Sequence, residues 1–333
     1  MSKDLILVTG GAGFIGSNIV AELLEAGRYE VAVCDRLRSA ESGKWRNLAH
    51  HDICDFVAPD AMFDWIAKYD GRLAGVVHMG AISSTTEVDA DLIVQTNFTL
   101  SKNLWTWASA AQRKLVYASS AATYGDGDNG FDDDDDHASL KRLRPLNAYG
   151  WSKALFDLYA RRQADAGNAP AGWAGLKFFN VYGPNEGHKG SMKSVIAQIW
   201  PRVRAGETVK LFRSHRPDYS DGGQLRDFVY VRDAARVATW MLDKSDLGGV
   251  YNLGTGKARS FLDLALATFA AAGVDPDIAF IDTPEVIREK YQYFTEARME
   301  RLLGLGYNQP FSDLEEGVQD YVARFLSQPD PYR

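Results

Sequence analysis

The sequence predicts an α/β protein: a doubly wound parallel sheet with helices on both faces, followed by a second, smaller α/β lobe. Three observations predict it. Short, wholly apolar runs alternate with helical periodicity through the first third of the chain. A glycine-rich turn, Thr9-Gly10-Gly11-Ala12-Gly13-Phe14-Ile15-Gly16, joins the first such run to the first helix. Farther on, Tyr149 and Lys153 stand four residues apart in a segment with a helical pattern.

In chain order, Leu5-Ile6-Leu7-Val8 reads as a buried parallel strand, and Phe14 to Ala26 as a helix carrying Ile15, Ile19 and Leu23 on one face. Val31 to Cys34 is a second strand, Ala61 to Tyr69 a helix, and Gly75 to His78 a third strand. Leu92 to Ala111 reads as one helix and Lys114 to Ser119 as a fourth strand. Tyr124 to about Leu146 reads as a loop, and its five consecutive aspartates, Asp132 to Asp136, as a solvated, self-repelling run without the fixed geometry of a metal site. A helix over Asn147 to Ala166 and a strand at Leu176 to Phe179 complete the alternation. Beyond Gly183-Pro184, strands at Val209–Phe212 and Phe228–Val231 mix with helices at Val195–Arg204, Asp233–Leu242 and Phe261–Ala272. The expected division is a dinucleotide lobe at residues 1–180, joined by later crossover segments at about 226–258, with 181–333 mainly a substrate-binding lobe.

Composition bounds the class. The chain has 333 residues, enough for two domains, with 46% hydrophobic and 24% charged residues, as in ordinary globular proteins. A net charge of −7 argues against nucleic-acid and polybasic membrane binding. No apolar stretch approaches the length of a membrane span, and the start of the chain lacks the pattern of a signal peptide. Two cysteines, Cys34 and Cys54, make no disulfide framework, so a cytoplasmic location is expected.

The glycine turn carries G-x-G-x-x-G at Gly11, Gly13 and Gly16, and G-x-x-G-x-x-G at Gly10, Gly13 and Gly16. Following a strand and opening a helix, it is the Rossmann phosphate cradle, in which backbone N–H groups and a helix dipole meet a pyrophosphate. Asp35 ends the second strand, where a carboxylate can bind the adenosine ribose. Arg36, Arg38 and Lys44 follow and could hold a 2′-phosphate. Asp35 alone points to NAD and the cations to NADP. Tyr149 and Lys153 share a helix face. A nearby ammonium favours a phenolate, and the pair can take a proton from an alcohol while hydride leaves its carbon. Ser120, ending the fourth strand, would bond the reacting oxygen.

These segments, with Ser119-Ser120-Ala121-Ala122-Thr123-Tyr124-Gly125 and Phe179-Asn180-Val181-Tyr182-Gly183-Pro184, resemble the extended short-chain dehydrogenases/reductases, most of which act on nucleotide-activated sugars. Gly80-Ala81-Ile82-Ser83-Ser84-Thr85-Thr86-Glu87, Glu186-Gly187-His188-Lys189-Gly190-Ser191-Met192, Arg226 to Val231 and Tyr291-Gln292-x-Phe294-Thr295 resemble the ADP-glyceromanno-heptose 6-epimerases, from residue 4 to about 326. That resemblance implies tightly bound NADP, with NAD less favoured, and an ADP-sugar epimerised at C6″ for the lipopolysaccharide inner core of a Gram-negative bacterium. It also implies a homo-oligomer, often a pentamer. Catalysis would fall to Tyr149, Lys153, Ser120 and, as a second acid–base group, Lys189. The cofactor would meet Gly10, Gly13, Phe14, Ile15, Gly16, Asp35, Arg36, Lys44, Asp52, Ile53, Met79, Gly80, Ala81, Ser83, Asn97 and Val181, besides Tyr149 and Lys153. The substrate would meet Ser120, Asn180, Ser191, Gln198, Leu211, Phe212, Arg213, Arg226 and Tyr291, with His188 positioning and able to titrate near neutral pH.

The chain departs from that pattern at three places. Asp218 to Gly223 reads as an insertion, Gln198 replaces an expected histidine, and Pro59 an expected basic residue. Another nucleotide-sugar epimerase or a 4,6-dehydratase is the near alternative. Ala121-Ala122 after Ser120, in place of an Asp-Glu acid pair, argues against elimination. A non-catalytic NADP-sensing regulator is the alternative of another class, and the retained Tyr149–Lys153 pair argues against it.

Overall fold

The computed structural model describes residues 3–288 and 292–333, so Tyr291 lies outside the described residues. The first half builds β1 (Asp4–Thr9), α1 (Phe14–Glu25), β2 (Tyr29–Cys34), β3 (Asp55–Val57), α2 (Met62–Tyr69), β4 (Leu73–His78), α3 (Ala90–Ile93), α4 (Leu100–Ala110) and β5 (Lys114–Ser120). Then come α5 (His137–Arg142), α6 (Ala148–Asp165), β6 (Gly172–Phe178), β7 (Asn180–Tyr182), α7 (Val195–Ala205), β8 (Val209–Phe212), β9 (Leu225–Tyr230) and α8 (Val231–Asp243). The chain continues through β10 (Gly248–Leu253), β11 (Ala258–Ser260), α9 (Phe261–Ala272), β12 (Ile278–Ile281), α10 (Glu285–Arg288), α11 (Glu300–Gly304) and α12 (Leu314–Tyr321).

Seven strands form one sheet in the order β10-β6-β5-β4-β1-β2-β3. All its pairings are parallel. The apolar runs follow from this, since a parallel sheet covered on both faces buries every residue of its central strands. Successive residues of β1 serve opposite layers. Ile6 and Val8 pack with Ile19 and Leu23 of α1 and Val237 and Met241 of α8. Leu5 and Leu7 pack with Ile66 of α2, Leu104 and Trp105 of α4, and Phe156 and Ala160 of α6. A third core joins Ile196, Ile199 and Val203 of α7 to Val209 and Leu211 of β8, Leu264 and Phe269 of α9, and Val318 of α12. Two small sheets, β11-β9-β7 and β12-β8, lie outside the large one, and β7, β8 and β9 contribute Tyr182, Val209, Leu211, Phe228 and Tyr230 to this third core. Phe14 packs into that core, so the first residue of α1 ties it to a helix that covers the large sheet.

The structure corrects three sequence expectations. The helix expected over Leu92 to Ala111 is α3 and α4 joined by a π-helical turn, Val94–Thr99. The expected Tyr124–Leu146 loop contains α5. The aspartate run is not simply solvated. Asp132 and Asp134 face water, but Asp133 is 4% exposed. Asp133 Oδ2 accepts from the Asn252 N–H at 2.8 Å and Asp135 Oδ2 from the Val250 N–H at 2.9 Å. Those amides lie two apart on β10, the outermost strand of the sheet, so alternate aspartates cap its open edge as a partner strand's carbonyls would. Arg301 offsets part of the charge of the cap, pairing with Asp135 at 2.9 Å and donating to the Asp133 carbonyl. Asp136 caps α5 through the Ala138 and Ser139 amides.

Candidate active site

The glycine turn needs its glycines. Gly10 has φ +66°, and a Cβ there would lie 2.7 Å from the Gly80 nitrogen. A Cβ on Gly16 would lie 2.1 Å from the Gly10 carbonyl oxygen. Gly13 caps α1 without a side-chain hydrogen bond, and the first turn, with Phe14 and Ile15, carries no carboxylate. Such a helix end presents N–H groups to an anion, so the turn fits a dinucleotide pyrophosphate. Asp35 Oδ2 accepts from the Ala12 N–H at 2.9 Å, and its Oδ1 pairs with Lys44 Nζ at 2.6 Å. Lys44 also donates to the Arg36 carbonyl at 3.0 Å, while the exposed Arg36 guanidinium pairs with Asp60 at 3.0 Å. One patch thus holds the acidic and the basic signals together. Asp52 is exposed nearby and Ile53 packs against the first core.

The strand end opposite the turn is fixed by buried polar groups. Thr9 Oγ1 lies 2.6 Å from His78 Nδ1 and accepts from the Gly80 N–H at 3.1 Å, beside Met79 and Ala81. Burial pushes His78 down to about 3, so its ring is neutral. Asn97 lies in the π-helical turn, a feature frequent at functional sites. Its amide closes on both Ile82 backbone groups, at 2.8 and 2.9 Å, and donates to Ser152 Oγ at 3.0 Å. Ser152 in turn donates to the Tyr149 carbonyl at 2.7 Å. Ser83, one residue beyond Ile82, is exposed.

Asn147 caps α6 through the Gly150 amide at 2.8 Å, which sets Tyr149 and Lys153 on the first two turns. A Cβ on Gly150 would lie 2.6 Å from the Ala122 carbonyl oxygen, so this close approach brings α6 onto the turn after Ser120. Ser120 is hydrogen-bonded to the Tyr149 phenol, which opposes the upward push of burial on that phenol. Lys153 is 4% exposed, and its Nζ donates to the Ala118 carbonyl at 2.8 Å. Burial lowers its ammonium to about 8.

The second lobe brings a loop to the same turn. Buried Glu186 accepts from Ser194 Oγ at 2.6 Å and Tyr321 Oη at 3.0 Å, closing the Glu186–Ser194 loop on itself. Lys189 Nζ sits 5.1 Å over the ring of Phe14, and burial lowers its ammonium against the upward pull of Glu186. His188 Nδ1 lies 3.2 Å from Asn47 Nδ2. Burial, with Lys44 and Lys189, pushes His188 down to about 4, which corrects the expectation that it titrates near neutral pH. Asn180 and Val181 lie on β7, Asn180 and Ser191 being exposed. Gln198 donates to the Ser191 and Lys193 carbonyls at 3.2 and 2.7 Å, so its amide nitrogen braces the loop. Leu211 is buried and Phe212 half-buried at the end of β8. Arg213 is half-exposed between Asp221, at 3.6 Å, and Asp282, at 3.4 Å. Arg226 is buried, 5.6 Å over the Phe261 ring, and donates to the Leu225 and Gln292 carbonyls. Beside the Asp218–Gly223 segment, Arg216 lies 5.5 Å over Tyr219 and 5.3 Å over Tyr293.

Sequence reasoning missed Glu186 as the loop's anchor, Asn97 as a brace rather than a plain contact, and a buried ion pair beneath Ser120 described below. Glu186 had a signal, lying inside a quoted motif. The others required three-dimensional neighbours.

Fold and site together define a nicotinamide-dependent α/β enzyme of the epimerase type. Residues 6–254 match the family described as "NAD dependent epimerase/dehydratase family". ADP-L-glycero-D-manno-heptose-6-epimerase of Nitratidesulfovibrio vulgaris is 47% identical over 330 residues, covering 98% of this chain and 100% of its own. The enzyme of that name from Fusobacterium nucleatum is 43% identical over 336 residues, covering 98% of this chain and 100% of its own. The Helicobacter pylori crystal structure of that name superposes with a TM-score of 0.79 at 30% identity, over 97% of this chain and 96% of the other. The chain therefore belongs to the NAD dependent epimerase/dehydratase family and, within it, to the ADP-L-glycero-D-manno-heptose-6-epimerases. It is an isomerase. Among the described residues no helix is long and apolar enough to cross a membrane.

Proposed function

We propose that this protein inverts C6″ of ADP-D-glycero-D-manno-heptose to give ADP-L-glycero-D-manno-heptose, a precursor of the lipopolysaccharide inner core, in the bacterial cytoplasm. The C6″ hydrogen is not acidic, so inversion by simple deprotonation is blocked. A nicotinamide held by the glycine turn supplies hydride uptake and return. Tyr149 takes the hydroxyl proton as C6″ becomes an aldehyde, with Ser120 holding the oxygen and Lys153 favouring the phenolate. Rotation about C5″–C6″ presents the other face, and Lys189 exchanges the proton there. A lysine suits that role only with a lowered pKa, and the burial of Lys189 beside Phe14 is the observation that carries this reading. Asn180, Ser191 and Tyr291 contact the sugar, while Arg213 and Arg226 take the ADP diphosphate, aided by Leu211, Phe212 and the braced Gln198 loop.

The cofactor is NADP. Lys44, already bonded to Asp35, and Arg36 beside it can turn toward a 2′-phosphate, with Asp52 and Ile53 at the edge. Mass spectrometry of nucleotide released on denaturation should find NADP; NAD alone would contradict this choice. Residues 1–180 and the crossover at about 226–258 form the cofactor lobe, 181–333 mainly the substrate lobe, and the protein works as a homo-oligomer. Tyr149→Phe and Lys189→Met should each lower kcat by roughly 100-fold or more with cofactor retained. Near-native turnover in Lys189→Met would remove the second acid–base group.

A further inference from the structure

Directly behind Ser120 and Tyr149 lies an ion pair sealed from water. Asp157 on α6 and Lys177 on β6 have side chains 0% and 1% exposed, and their charged atoms are 3.0 Å apart. Asp157 accepts from Tyr117 Oη at 3.0 Å and from Ser119 Oγ at 2.6 Å, both on β5. Lys177 Nζ donates to Thr123 Oγ1 at 2.7 Å, and Thr123 Oγ1 donates to the Ser120 carbonyl at 2.8 Å. The Lys177 ammonium also lies 4.9 Å over the ring of Tyr124. The pair therefore grips the residue before Ser120 and the turn after it.

Burying two charges costs several kcal/mol per ion after relaxation, and well-packed apolar residues of similar volume are often no less stable. A second feature gives the pair work beyond packing. Asp157 is four residues after Lys153 and eight after Tyr149, on the same helix face. We infer that Asp157 and Lys177 form a positioning pair for the catalytic centre, holding the Ser120 turn against α6 and setting the electrostatic field in which Tyr149 and Lys153 exchange protons. The inference rests on the reading of Tyr149 as the proton-accepting group. The groups facing Asp157 are Tyr117 and Ser119 from β5, Lys177 from β6, and Lys153 and Tyr149 from its own helix. Asp135 reaches Tyr117, and Asp133 reaches Tyr124, at longer range. The Asp157 charge raises the pKa of both Lys153 and Tyr149.

The two partners should thus act with opposite signs. The test is the pH profile of kcat/KM for epimerisation of ADP-D-glycero-D-manno-heptose by cofactor-loaded enzyme. Asp157→Asn should move the acid limb to lower pH, because the group that must lose its proton no longer faces a negative charge. Lys177→Met, which leaves Asp157 uncompensated, should move that limb to higher pH. Both should lower the plateau roughly tenfold or more by loosening the Ser120 turn. Folding is checked by circular dichroism, and if one variant does not fold the other decides. A folded variant that loses rate with an unmoved acid limb makes the pair a scaffold only and overturns the inference. If the native enzyme fails to turn this substrate over, the functional reading fails instead.

Discussion

At the scale of single residues, the site is a set of ordinary side chains made unusual by burial. Lys153 is brought to about 8 by burial, and burial lowers Lys189 in the same direction against the pull of Glu186. His188, pushed to about 4, is a neutral bracket for Asn47 rather than a titrating switch. Glycine matters for the same local reason. Gly16→Ala would place a methyl carbon 2.1 Å from the Gly10 carbonyl oxygen, so the cradle must open. The expected outcome is a folded protein that loses its nicotinamide on gel filtration, with affinity down roughly tenfold or more. Full retention of the cofactor would show that the turn tolerates the methyl. Most of these residues were legible because their chemistry is tied to spacing: glycines at a strand–helix turn, and a tyrosine and lysine four apart. Asp157 and Lys177 were not, because an ion pair joining a helix to a strand has no signature along the chain.

At the scale of elements, the five inner strands of the large sheet were legible as apolar runs, whereas its two edge strands, β3 and β10, were not expected from the sequence. The helix through Asn97 looked continuous because a π-helical turn preserves helical composition while adding a residue to the winding. The aspartate run misled because every position is the same residue, so the in–out alternation that marks an extended segment cannot show. Asp133 gives this edge cap a testable pH dependence. Its carboxyl titrates at about 6 in the folded protein because burial disfavours the charge. The unfolded value is about 3.9. The folded state therefore holds more protons between these values, and the stability tied to this group is present below about pH 4 and lost as pH rises through about 6. Asp133→Asn keeps an acceptor for the Asn252 amide without the charge. Denaturant unfolding should show the variant gaining on the native chain by up to about 2 kcal/mol between pH 4 and pH 7. A difference that does not change with pH would mean that Arg301 already neutralises the carboxylate fully.

At the scale of the whole molecule, the two lobes meet where Phe14 opens α1. Its ring lies in the second lobe's core and beneath Lys189, while its neighbours in the chain build the phosphate cradle. Lys189 is thereby held over the first residue of α1, next to the glycine turn, where the proposed two-sided proton exchange would need it. The net charge of −7 gave no hint of this concentration of cations, since alternate aspartates of the acidic run are committed to the far edge of the sheet. The change of rhythm after Gly183-Pro184 is where the small sheets and the third core take over from the large sheet. The contacts between lobes were not legible in the sequence, because they join segments far apart along the chain. The most direct measurement is NMR of purified enzyme with ADP-D-glycero-D-manno-heptose. The expected result is conversion to an equilibrium mixture with the L-glycero epimer and no net accumulation of reduced cofactor. An unchanged heptose spectrum, alongside turnover of a UDP-hexose by the same preparation, would contradict it.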